Sequence, residues 1–189
     1  MQHALRKASA SVIRRIPLPG RWRLVPLIAG RTQEPTTLVA SIPNVGLMEL
    51  DISSTLEREI FVTGTHGDER RIAEKIRAYL DRPGAVFVDV GANVGYHTIA
   101  AGRRLAGHGG AVYAFEPIRA NHDRLVGNVR MNDLTNVYVE HAGLSDREET
   151  VEVRRTTRGT SNASLASEGD VREWVKLIRF DEWMRNHPL

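Results

Sequence analysis

Two acidic residues beside a glycine-rich turn are the residues of this sequence best suited to binding chemistry. Asp89 lies near the end of an apolar run and is followed by Gly91 and Gly95, which let the backbone turn sharply and approach a ligand. Glu116 directly follows a second apolar run. Both runs predict buried parallel strands, whose carboxyl ends share the edge where open α/β sheets bind ligands. The two carboxylates are therefore predicted to lie close together.

The spacing of the glycines separates two classes of nucleoside ligand. A dinucleotide fingerprint has glycines at its first, third and sixth positions, but counting from Gly91 the third and sixth positions hold Asn93 and Tyr96. Asp89 would also repel a diphosphate. A carboxylate instead attracts a positively charged nucleoside without phosphate, and Glu116 can accept hydrogen bonds from ribose hydroxyls. S-adenosylmethionine is such a ligand, so a nicotinamide-dependent oxidoreductase is the disfavoured alternative.

Three sequence features together resemble the FkbM family of S-adenosylmethionine-dependent methyltransferases. They are the Val-Phe-Val-Asp-Val-Gly-Ala-Asn-Val-Gly-Tyr-His-Thr segment at 86–98, the Ala-Phe-Glu-Pro segment at 114–117, and the series Asn128, Asn132 and Asn136. The likeness extends from about residue 51 to the end of the sequence. It implies a Rossmann-like class I methyltransferase fold and O-methylation of a hydroxyl on a sugar, polyketide or other secondary metabolite.

The resemblance also implies which residues bind the cofactor. The residues of the glycine turn would surround the methionine portion, Glu116 would hold the ribose, and Ser145 would lie near the adenine. His97 is the nearest candidate for a general base, but a histidine at a helix start is more often structural, so no catalytic residue is assigned. The remaining histidines lack metal-ligand spacing. The cofactor-binding residues implied by the match are Asp89, Gly91, Ala92, Asn93, Gly95, Glu116 and Ser145.

The sequence departs from the family pattern in two places. Residues 64–67 read Gly-Thr-His-Gly where the family often has an aromatic and an acidic residue, which puts any ligand contact from that pair in doubt. The family also continues with further strands beyond the position of Leu189. We therefore expect an incomplete sheet with an unpaired edge along residues 86–90, completed by a partner protein or by self-association. A non-catalytic, truncated remnant is the alternative to an active enzyme.

Length and composition predict one ordinary globular domain. The 189 residues are 41% hydrophobic, enough for one core. The 26 basic side chains exceed the 23 acidic ones by three, a mixed surface that does not indicate nucleic-acid binding. Without cysteine the chain has no disulfide or thiolate metal site. No apolar stretch is long enough to span a bilayer, so a soluble cytoplasmic protein is expected by default. A small-molecule hydroxyl acceptor is what the resemblance implies as its partner.

The periodicity of apolar residues and the positions of prolines divide the chain into three parts. Prolines predict an irregular segment over residues 1–45, apart from a basic amphipathic helix over residues 1–16. This helix is expected to be frayed or packed on its own domain, and a membrane-surface role is the alternative. Residues 46–84 are predicted to hold strands at 47–52 and 58–62 and a helix at 68–80. Residues 85–189 form the partial cofactor-binding core. Its predicted strands are 85–90, 111–115, 137–141, 150–154 and 176–180, its predicted helices are 94–106, 118–131 and a terminal turn or helix at 181–186, and residues 156–169 are predicted to be a polar loop.

Overall fold

Three parallel strands with helices between them form the centre of the chain. The computed structural model describes residues 2–15, 20–30, 34–65, 69–155 and 171–187. Its central sheet has the order β3-β4-β5, and every pairing in it is parallel. The predicted α/β class is thereby confirmed. The elements of this core are β3 (Val86–Val90), α5 (Tyr96–Ala106), β4 (Ala111–Phe115), α6 (Arg119–Met131) and β5 (Val137–Glu140).

Burial differs between the central strand β4 and the edge strand β3. Val112, Ala114 and Phe115 of the central strand β4 are completely buried. In β3, by contrast, Val86 is 39% exposed and Val90 is 59% exposed. The expectation that this strand is buried is therefore wrong at its two ends. Within the described residues, β3 has a strand neighbour on one side alone.

The first 45 residues are more regular than their prolines predict. Helix α1 (Gln2–Arg15) is followed by a 3-10 helix (Arg21–Leu24), by α2 (Val25–Ala29) and by β1 (Thr37–Ile42). The predicted amphipathic helix packs against the rest of the domain, with Ala10 completely buried. The prolines here initiate or separate short elements instead of preventing them, as at the start of α2.

One predicted strand is in fact a helix. The β-branched residues at 58–62 indicated a strand, but they belong to α3 (Thr55–Thr63). Its N-terminus follows Ser54, and the helical spacing buries Ile60 in the core while it directs Glu57 toward α6. The strand β2 (Gly46–Asp51) pairs instead with β1, in an antiparallel hairpin. Tertiary contacts on the helical face outweigh the weak local preference for extended backbone.

The predicted helix at 68–80 corresponds to α4, and position 68 lies outside the described residues. Helix α4 (Glu69–Leu80) begins one residue later and buries Leu80. The final part of the chain contains β6 (Gly143–Ser145), β7 (Glu149–Arg155), β8 (Val171–Arg179) and α7 (Phe180–Asn186). The three strands form a second sheet of order β6-β8-β7. The predicted loop at 156–169 lies outside the described residues. None of the helices in the described ranges has the length and apolar character needed to cross a bilayer.

Two asparagines fasten α6 to the edge of β2 in the way a neighbouring strand would. The Asn132 amide accepts from Leu47 N at 2.9 Å and donates to Leu47 O at 2.7 Å. The Asn128 amide does the same with Glu49, at 2.7 Å and 3.3 Å. Four residues of helix and two residues of strand both span about 6 Å, so the two spacings match. This explains the spacing of Asn128 and Asn132, whereas Asn136 donates to Gly102 O and Gly110 O.

Asn128 also holds the glycine turn, since its Nδ2 donates to Val94 O at 2.9 Å. We expect Asn128→Ala to lower the free energy of unfolding by about 2–4 kcal/mol, because buried polar groups lose their partner. Urea denaturation measures this loss. Asn132→Ala is the matched control: its bonds to Leu47 are exposed to water, which can replace them, so its loss should be clearly smaller. Equal losses in the two variants would contradict the role given to Asn128.

Candidate functional site

The turn between β3 and α5 is built from three residues in the left-handed region. Gly91, Asn93 and Gly95 have φ values of 77°, 52° and 97°. The turn is tied to the next strand because the backbone N–H groups of Gly91 and Ala92 both donate to Phe115 O, at 2.9 Å and 3.0 Å. A backbone of this shape favours glycine and asparagine over other residues. The glycine positions identified in the sequence are therefore required by the turn itself.

The two glycines of the turn serve different purposes. A Cβ added at Gly91 would meet nothing within 4 Å, so this side of the turn is open to a ligand. At Gly95 an added Cβ would lie 2.6 Å from Leu125 Cδ1, so this glycine permits close packing of the turn on α6. Ala92 is also buried against Leu125. Its side chain belongs to the core, which leaves its backbone as the part that a ligand could contact.

Glu116 is a buried carboxylate that joins the turn to the start of α6. It is 4% exposed, and it accepts hydrogen bonds from Asn93 N at 2.8 Å, Ile118 N at 2.9 Å and Asn121 Nδ2 at 3.4 Å. Burial raises the pKa of Glu116, and the charge of Asp89 adds to this, while the three hydrogen bonds act in the opposite direction. A carboxylate offers about four acceptor positions. With three of these positions filled, Glu116 retains room for about one further donor.

Asp89 lies close enough to Glu116 for its charge to act on that residue's pKa, as the strand register requires. Its Oδ2 accepts from Thr98 Oγ1 at 2.5 Å, and Thr98 is completely buried in the first turns of α5. The side chain of Asp89 is half-buried. The two acids at neighbouring strand ends thus form one negatively charged region. Sequence reasoning missed Thr98, although its place in the matched segment is a signal that could have found it.

Asn93 supplies a second acceptor in the same region. Its Oδ1 atom is buried and has no hydrogen-bond partner among the described residues. A buried acceptor without a partner is costly, and a donor brought by a ligand would remove that cost. The donors of a positively charged amino group fit both this oxygen and the Asp89 carboxylate.

Ser145 and His97 are placed differently from the residues of the turn. Ser145 ends β6, a separate short strand, rather than directly following β5, and its Oγ donates to Asp146 Oδ1 at 3.2 Å. No hydrogen bond joins it to the turn or to Glu116 within the described part of the chain. His97 lies in the first turn of α5, with its ring edge-on to that of Tyr96 at 5.3 Å. The structure therefore brings together Asp89, the turn and Glu116.

A Rossmann-like domain with two carboxylates around a glycine turn defines the class of this protein. Within that class, the chain belongs to the methyltransferase FkbM domain family, whose model matches residues 89–188, more than half of the chain. The predicted resemblance is confirmed. No curated protein sequence matches the chain significantly.

Several solved structures of methyltransferases are similar to parts of the chain. One is M. jannaschii TYW2 in complex with AdoMet, at 22% identity and a TM-score of 0.42, covering 57% of this chain and 44% of that one. Another is a SAM-dependent methyltransferase from Aquifex aeolicus, at 24% identity and a TM-score of 0.33, covering 37% of each chain. Coclaurine N-methyltransferase bound to N-methylheliamine and SAH has 14% identity and a TM-score of 0.35, covering 75% of this chain and 36% of that one. The chain thus spans less than half the length of each of these structures.

Proposed function

We propose that this chain binds S-adenosylmethionine and takes part in methyl transfer to a hydroxyl oxygen of a small molecule, such as a sugar or a secondary metabolite. Membership of the methyltransferase FkbM domain family supports the reaction type. The observation that carries the proposal is the pair formed by Asp89 and Glu116 beside an open glycine turn. A cationic nucleoside fits this negative region, whereas a diphosphate would be repelled.

The chain's own residues would divide the work of binding the cofactor. Asp89 and Asn93 Oδ1 accept from the ammonium group, Gly91 allows the ligand to approach the backbone, and Glu116 accepts from a ribose hydroxyl. When bound, S-adenosylmethionine supplies an electrophilic methyl group. The protein contributes orientation, because a displacement at carbon requires the acceptor oxygen in line with the bond that breaks. Ser145 beside the adenine remains a prediction.

Replacing Asp89 tests the proposal directly. Asp89→Asn keeps an acceptor for Thr98 but removes the negative charge, so we expect binding of S-adenosylhomocysteine to weaken by about 1–3 kcal/mol. Isothermal titration calorimetry measures the affinity. Asp181→Ala, which removes an exposed acid at the start of α7, is the matched control and should bind like the wild type. The proposal fails if the wild type binds NAD but not S-adenosylhomocysteine, or if Asp89→Asn binds it as tightly as the wild type.

A binding module that acts together with a partner strand is the second candidate. The exposed valines at both ends of β3 favour it, since an unpaired apolar strand edge is a site for association. Measurements of S-adenosylhomocysteine binding and of methyl transfer to a panel of hydroxyl acceptors separate the two candidates. Binding without turnover on every acceptor favours the module, and turnover by the isolated chain favours the enzyme.

A further inference from the structure

A cavity of about 690 Å³ lies beside the cofactor turn, on the side of α5 that faces α4. Its walls are the turn of the β1-β2 hairpin, the end of α3, and one face each of α4 and α5. Tyr96 and His97, which directly follow Gly95, form part of its lining. The cavity therefore begins next to the turn and continues along the helix that the turn starts.

Among the described residues, the lining of this cavity is strongly basic. No acidic residue is among the described residues that line it, whereas five arginines are. Two of the five have partners: Arg104 pairs with Asp81 at 2.5 Å, and Arg14 donates to the carbonyl of Phe61. No ion pair joins the other three to a described residue. The five arginines are Arg14, Arg21, Arg77, Arg103 and Arg104.

Two local features concern donors at the wall of the cavity. A Cβ added at Gly46 would lie 2.2 Å from Asn132 Oδ1 and 3.1 Å from Arg103 Nη1, so the absence of a side chain at Gly46 makes room for both groups at the hairpin turn. Thr65 Oγ1, which also lines the cavity, is buried and has no hydrogen-bond partner among the described residues. Guanidinium groups and a hydroxyl are donors suited to the oxygens of an oxyanion.

We propose that this cavity binds an oxyanion group of the acceptor, namely a phosphate, sulfate or carboxylate, and thereby selects acidic small molecules. This inference rests on the proposed function, since it treats the cavity as the acceptor site beside the cofactor. The concave shape favours a small molecule over a nucleic acid. The near balance of basic and acidic residues over the whole chain favours it as well. Arginine also binds pairs of oxygens in carboxylates and phosphates through two parallel hydrogen bonds.

Calorimetry with inorganic pyrophosphate at constant ionic strength tests the cavity while saturating S-adenosylhomocysteine occupies the turn. We expect the wild type to bind pyrophosphate, and Arg77→Gln and Arg103→Gln each to bind it about tenfold more weakly, as expected for loss of a charged hydrogen-bond donor. Both arginines are exposed at the surface of the cavity, so neither substitution should unfold the protein. Arg172→Gln on β8, outside the cavity, is the matched control and should bind like the wild type.

The outcomes separate this inference from the proposed function. Binding of S-adenosylhomocysteine without binding of pyrophosphate overturns the oxyanion site and leaves the cofactor assignment standing. Equal pyrophosphate affinity in all three variants also overturns it, because the anion then binds elsewhere. A short single-stranded RNA that binds more tightly than pyrophosphate, and displaces it, replaces the small-molecule acceptor with a nucleic acid. Failure to bind S-adenosylhomocysteine at all contradicts the proposed function itself.

Discussion

Arg124→Leu should lower the free energy of unfolding by about 3–5 kcal/mol, because it leaves a buried carboxylate without its cation. Glu57 is completely buried, and its two oxygens accept from Arg124 Nη1 at 3.0 Å and Nη2 at 2.5 Å. Its further donor is Asp51 N, at 2.7 Å. Burial by itself would lower the pKa of Arg124, but the hydrogen bond and charge of Glu57 raise it above its usual value. The pair joins α3 to α6, so its loss should also loosen the contact between them.

Chemical denaturation of three variants measures this effect. Arg119→Leu is the control: Arg119 also pairs with an acid at 3.0 Å, but its side chain is 68% exposed, so we expect a loss of less than about 1 kcal/mol. The double variant Glu57→Leu with Arg124→Leu removes both charges and should recover much of the stability. If Arg124→Leu costs no more than Arg119→Leu, the buried pair does not have the role assigned to it.

Glu116→Ala should have an effect of similar size on stability and also impair cofactor binding. It deprives the N–H groups of Asn93 and Ile118, and the amide of Asn121, of their acceptor. Each such loss costs about 1–3 kcal/mol, and because they are coupled we expect a total of about 3–5 kcal/mol. Glu116→Gln retains one acceptor oxygen and should lose less. Urea denaturation and calorimetry with S-adenosylhomocysteine measure the two effects.

The pH dependence of stability separates the effect of the charge of Glu116 from the effect of its shape and hydrogen bonds. Its pKa is raised in the folded protein above the usual value of 4.5, so the folded state holds this proton more tightly than the unfolded state. The corresponding stability is present below pH 4.5 and is lost as the pH rises through the folded-state pKa. Glu116→Gln cannot titrate, so the difference in stability between wild type and this variant should change across that interval. A difference independent of pH would contradict the raised pKa.

The elements that were predicted correctly are those with strong local signals. The strand Ala111–Phe115 has the bounds that its apolar run predicted, and α5 and α6 begin within two residues of their predicted starts. The turn was also predictable, because Gly91 and Gly95 adopt positive φ values that their residue type favours. The prediction failed for residues 58–62, where β-branched residues suggested a strand. Helix formation there depends on packing against α1, α2 and β2, which no local pattern reveals.

The candidate site likewise contains residues that the sequence predicted and residues that it did not. Asp89 and Glu116 were identified from the sequence because each is an acidic residue at the end of an apolar run. Their proximity depends on parallel pairing of the two strands, which the alternation of strands and helices predicted. The partners of these acids, Thr98 and Asn121, were not identified, since a hydrogen bond between side chains depends on the packing of α5 and α6 on the sheet.

The sequence by itself determined the chemistry at the strand ends: which residues are acidic, where the backbone can turn, and that a phosphate-free cationic nucleoside fits them better than a dinucleotide. Tertiary structure alone decided what joins these pieces. Glu57 and Arg124 are 67 residues apart along the chain, and Asn128 meets Glu49 across 79 residues. The arginines of the cavity likewise come from distant segments. Such contacts arise when amphipathic faces are buried together, and burial depends on the whole arrangement of elements rather than on any local stretch of sequence.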